Sequence, residues 1–112
     1  MTDRDKAWLA GFLEARGRLS WDKTNFVRIR MSGLDSYLQS EFKYISKCPK
    51  MPKHKGTVTI SGRSAMQLLV DVFLFASPRF QVRIQEYVTH WNMNSPGARK
   101  RYFLPEPPPS TV

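Results

Sequence analysis

Between Phe26 and Ser32 the chain alternates without a break. Val27, Ile29 and Met31 fall on one side, and Arg28, Arg30 and Ser32 on the other. A period of two is the signature of a β-strand with one apolar and one wet face. Such a strand is not stable alone. It needs a paired neighbour and a second layer over its apolar side. Arg18 to Lys23 supplies the neighbour, with Leu19 and Trp21 facing one way and Arg18, Ser20 and Asp22 the other. Thr24-Asn25 can turn the chain between the two runs. The reading is an antiparallel hairpin with a basic wet face.

The covering layer comes from helical runs. From Asp5 to Ala15, Trp8, Leu9, Phe12 and Leu13 share one stripe, and Gly17 reads as a stop signal. A second helix spans Leu34 to Ile45, with Asp35 as N-cap and Leu34, Leu38, Phe42 and Ile45 as its stripe. Pro49 and Pro52 restrict 46–56 to a loop or an edge strand. Thr57 to Ser61 is a short strand with Val58 and Ile60 inward. Gly62-Arg63-Ser64 breaks the strand and opens a third helix, Ala65 to Ala76. Pro78 interrupts, and a fourth helix runs from Arg79 to about His90 with Phe80, Ile84, Tyr87, Val88 and Trp91 apolar. The order is α-β-β-α-β-β-α-α, an α+β fold with an antiparallel sheet covered by helices on one face. Residues 1–94 form one domain. Residues 95–112 hold Arg99-Lys100-Arg101 and four prolines between Pro105 and Pro109, and read as a loosely held basic tail.

Charge narrows the partners. Eighteen lysines and arginines against nine acids give the 112 residues a net charge of +9. With 41% hydrophobic residues the chain can build a core, so the charge is not that of a disordered tail. A compact cation of this kind meets phosphate, in DNA, RNA or an anionic lipid surface. Neither a basic amphipathic helix nor a lipid anchor signal is evident, so no membrane partner is expected. The strongly apolar run from Met66 to Ala76 is too short to span a bilayer. Acids among the first six residues argue against an export signal. One cysteine, Cys48, allows no internal disulfide and suits a reducing compartment. The expected location is intracellular, in cytoplasm, nucleoid or an organelle stroma or matrix.

The run Trp8-Leu9-Ala10-Gly11-Phe12-Leu13-Glu14-Ala15-Arg16-Gly17 resembles the signature of the LAGLIDADG homing endonucleases. It stands before a strand pair in the element order such domains show. Ile60-Ser61-Gly62-Arg63, Leu68-Leu69, Arg79 and Gln81 are similar to the C-terminal half of the single-motif members. The resemblance covers about residues 5 to 91. It implies an antiparallel saddle that sits on double-stranded DNA. It also implies a homodimer joined through the first helix, by Leu9, Ala10, Gly11, Leu13 and Glu14.

One departure bears on chemistry. The family places a metal-binding acid immediately before the final glycine of the motif, and here that position is Arg16. Mg²⁺ is a hard cation held by anionic oxygens. Arginine stays protonated and cannot ligate it. Glu14 is two residues earlier, about 200° around the helix, and cannot simply take the role. The expectation is a DNA binder without a catalytic residue, metal or cofactor, in which Arg16 neutralises phosphate directly. The competing reading of Arg16 is an ordinary surface arginine at a helix end.

The predicted DNA contacts divide in two. Arg16, Arg18, Ser20, Arg28, Arg30, Ser32, Thr57 and Thr59 are types that read base edges or seat phosphate. Lys47, Lys50, Lys53 and Lys55 act as point charges that position the protein on the backbone, and Lys23 is a further expected DNA contact. His54 and His90 lie far apart without a ligand cluster, so no metal site is expected from them. The leading reading is transcriptional control or site occupation without cutting. Three others remain open: a Mg²⁺-dependent endonuclease recruiting Asp22 or Glu14, an RNA-binding intron maturase, and a structural nucleic-acid-binding protein.

Overall fold

A computed structural model describes residues 1–24, 26–47, the backbone of 53–54, 56–94 and 100–106. The elements are α1 (Asp3–Arg16), β1 (Gly17–Trp21), β2 (Val27–Met31), α2 (Ser36–Ser46), β3 (Lys53–His54), β4 (Thr57–Ser61), α3 (Arg63–Val72), a 3-10 turn (Phe73–Phe75) and α4 (Pro78–Met93). The order is thus the predicted alternation, in an α+β fold. The sheet is antiparallel throughout, in the order β1-β2-β4-β3, and β3 is only two residues long.

Alternation sets the two sides of the sheet. Leu19, Val27, Ile29, Met31, Val58 and Ile60 are buried under the helices. Arg18, Ser20, Arg28, Arg30 and Ser61 are exposed on the other face. The helices answer with their own stripes. Leu9, Ala10 and Leu13 of α1 are buried, with Phe42 of α2, Leu68, Leu69 and Val72 of α3, and Ile84, Val88 and Trp91 of α4. Aromatic rings weld α1 to α2: Trp8 stacks on Phe12 at 4.8 Å and Phe12 on Phe42 at 5.5 Å.

Local chemistry fixes where elements begin. Thr2 and Asp5 form a reciprocal capping box that starts α1 two residues earlier than the apolar stripe predicts. Asp35 caps α2 as expected, accepting from the Leu38 amide. Pro78 does not end a helix. Ser77 is the N-cap of α4 and Pro78 occupies its first turn, where the missing N–H costs nothing. Gly62 turns the chain from β4 into α3 with φ 65° and ψ −135°, a region essentially reserved for glycine. A Cβ there would also stand 2.5 Å from the Phe26 ring.

The tail departs from expectation. Residues 100–104 are not loose. Tyr102 is buried, Leu104 packs on the core, and Asn92 grips the Tyr102 backbone at both ends: its Nδ2 donates to the carbonyl and its Oδ1 accepts from the amide. The Trp91 indole N–H donates to the Lys100 carbonyl at 2.8 Å. A loop reading from proline content misses this because the anchor lies ten residues away.

Candidate nucleic-acid interface

The open face of the sheet is built by register. Arg30 of β2 stands between Arg18 on β1 and Thr59 on β4. Arg28 stands between Ser20 and Ser61. Arg18 opposite Arg30 puts two like-charged residues at paired positions on one face of the ladder, an arrangement that costs stability. The end of α1 adds Arg16. Together Ala15, Arg16, Arg18, Arg30 and Ser32 line an open depression of about 500 Å³. Ser20, Arg28, Arg30, Thr57 and Thr59 line a second, of about 280 Å³. Arg30 belongs to both, so the two form one continuous surface. Among the described residues no carboxylate lies within ion-pair distance of Arg16, Arg18 or Arg30.

Arg28 is held differently. Its guanidinium meets Asp22 Oδ2 at 3.0 Å. Asp22 also closes the β1–β2 turn, its Oδ1 accepting from the Thr24 hydroxyl, the Thr24 amide and the Phe26 amide. The Thr24 hydroxyl bond is the largest cause holding the Asp22 carboxyl below its ordinary range, followed by the Phe26 amide, with Arg28 adding a smaller pull. A carboxylate with a lowered folded pKa stabilises the fold above the unfolded value, and that contribution is lost as pH falls through the folded one. Asp22→Asn keeps an acceptor for the turn but cannot ionise. Its urea-derived stability is therefore expected to vary less with pH below about pH 4 than that of the parent, which a pH series of denaturation curves checks.

The structure separates residues that the motif places together. Leu9, Ala10 and Leu13 belong to this chain's own core, so their side chains do not face outward toward a second copy. Gly11 is open, with nothing within 4 Å of where its Cβ would be. The outward side of α1 is instead Ala7, Gly11, Glu14 and Ala15, a row that spacing places on one face. Glu14 accepts both hydrogen-bond branches of the Ser77 hydroxyl, at 2.7 and 2.9 Å. It lines a separate hollow with Gly17, Arg79, Phe80 and Arg83. No family model matches this chain, and neither a curated protein nor a solved structure does.

The surface itself then defines the chemistry. Arg16, Arg18 and Arg30 offer no anionic oxygen, and Glu14 and Asp22 are engaged at different places. The depression therefore does not fit a hard divalent cation. Among the described residues no three His, Cys, Asp or Glu side chains come together. What the surface does fit is an anion with several acceptor oxygens, which guanidinium forks meet in pairs. Lys23 is exposed in the turn beyond β1. Lys50 and Lys55 lie outside the described residues. Lys53 is described only as backbone in β3, so its side-chain role lies outside them as well. No helix among the described residues is long and apolar enough to cross a membrane.

The sequence reading did not single out the cross-strand opposition of Arg18 and Arg30. Two arginines at even spacing in β2 and one in β1 were the available signal, but register was needed to bring them face to face.

Proposed function

We propose that this protein binds double-stranded DNA through the open face of its sheet, as a non-cutting protein of the LAGLIDADG type that acts by occupying a site or controlling transcription. The observation that carries the reading is the set of Arg16, Arg18 and Arg30 on one depression, with no neutralising carboxylate among the described residues. A fold that pairs two arginines across a ladder gives up stability, and an anionic partner offsets that cost. Hydroxyls of Ser20, Thr57 and Thr59 beside Arg28 and Arg30 are the mixture that reads base edges in a groove. The resemblance of residues 8–17 to the family motif supplies the DNA and the pairing of two copies, the pairing then using the exposed row of Ala7, Gly11, Glu14 and Ala15 on α1 in place of the buried Leu9, Ala10 and Leu13.

Size supports two copies. A five-residue strand is about 17 Å long. That matches about five base pairs of duplex, a half-site rather than a unique address. Two chains related by a two-fold axis would read an inverted repeat. The test is a selection from random duplex DNA at physiological salt, with Mg²⁺ present. A recovered motif with inverted symmetry and uncut DNA is the expected result. Binding without enrichment, or a preference for structured RNA, overturns the sequence-reading function. Cleavage overturns the non-cutting one.

A further inference from the structure

We propose that residues 100–103 form a second nucleic-acid contact, a pinned arm that grips the backbone of the same duplex beyond the stretch lying on the sheet. The inference rests on the reading above and extends it to a surface at the far end of α4 from the motif, whose Glu14 meets the helix at Ser77 while the arm is held by Trp91 and Asn92.

The arm starts from its anchors. Asn92 holds Tyr102 by two hydrogen bonds of 2.7 and 2.9 Å, and Trp91 holds the Lys100 carbonyl. The Tyr102 ring meets Trp91 edge-on at 6.1 Å, and its hydroxyl reaches the Arg63 carbonyl at 3.4 Å. Arg63 opens α3 directly after Gly62, whose amide donates to the Val27 carbonyl at the start of β2. The arm is thus tied to the end of the sheet that carries Arg28. Arg63, Lys100 and Arg101 are exposed beyond that end of the sheet.

Burial then sorts the side chains. Tyr102 points inward at 5% exposure, while Arg101 and Phe103 on either side are exposed, Phe103 at 80%. Lys100 stays exposed with its ammonium 5.1 Å from the Tyr102 ring centre. Among the described residues no carboxylate is within ion-pair distance of Arg63, Lys100 or Arg101. An ordinary basic tail must be ordered when it touches phosphate, which costs conformational entropy. Here the clamp has ordered it in advance, so its charges act at full strength. The exposed ring beside them is the type that packs on sugars and bases in nucleic-acid grooves.

The test compares the full chain with a Lys100→Ala/Arg101→Ala double variant on the selected duplex and on a random one. The backbone clamp on Tyr102 is untouched and only the contact of the Lys100 ammonium with its ring is lost, so the thermal midpoint is expected to fall by no more than a few degrees. The slope of log affinity against log salt should flatten by about 1.8, two phosphates' worth. The loss should be equal on both duplexes, and the nuclease footprint should shorten at its flanks. An unchanged slope and footprint, with Arg30→Thr still relaxing sequence preference, overturns the arm alone. A parent protein that binds no duplex overturns both the arm and the sheet reading.

Discussion

Replacing Tyr102 with alanine is expected to destabilise the protein by about 3–5 kcal/mol, the range for deleting a buried aromatic ring. Domains of this size have only about 5–15 kcal/mol in total. Each kcal/mol is worth roughly 4–8 °C in Tm at this length. A fall of well over 10 °C should therefore appear in a thermal melt. The ring closes the surface over Trp91, which itself meets Phe26 at 5.6 Å, so its removal opens the core at the sheet's end. Tyr102→Phe separates packing from polarity. The hydroxyl bond to Arg63 is long at 3.4 Å, so its loss should cost less than about 1 kcal/mol. Equal, small effects of both substitutions would mean that the tail is not part of the folded unit.

That result would mark where the sequence was readable and where it was not. The Phe26–Ser32 alternation identified β2 and its inward residues because its period is local and its inward residues are buried in the structure. The stripe of Phe80, Ile84, Tyr87, Val88 and Trp91 identified α4 for the same reason. Pro78 misled because a proline in the first turn and a proline that breaks a helix look alike without Ser77 being recognised as the cap. Tyr102 was hidden among prolines because its partners, Asn92 and Arg63, are distant along the chain. Trp21 was placed on the inner face and does lie there, against Tyr87 and His90, yet it is 44% exposed because it sits at the sheet's end. For the site, residue types were legible and geometry was not. The motif suggested α1 as a contact helix, but burial assigns Leu9, Ala10 and Leu13 to the core. The arginines were visible as a list, whereas their convergence on one depression follows from the register of β1 with β2 and from where α1 ends.

That convergence yields the second large effect. Arg18→Thr combined with Arg30→Thr should weaken duplex binding by about 2–6 kcal/mol, from about 1–3 for each well-seated arginine. It should also flatten the salt slope by about 1.8. Between about 50 and 200 mM salt the parent's advantage over the variant should then shrink about 12-fold, since a fourfold change in salt is raised to that power. Stability should move the opposite way. Threonine suits a strand, and the substitution removes like charges facing each other across the ladder, a gain of up to about 1 kcal/mol. The opposite signs make the experiment decisive, because a variant that lost binding by misfolding would lose stability too. Denaturation and binding curves on the same preparation read both. If the double variant bound as before and was merely more stable, the arginine face would be a solvated surface, and the DNA reading would lose the observation on which it stands.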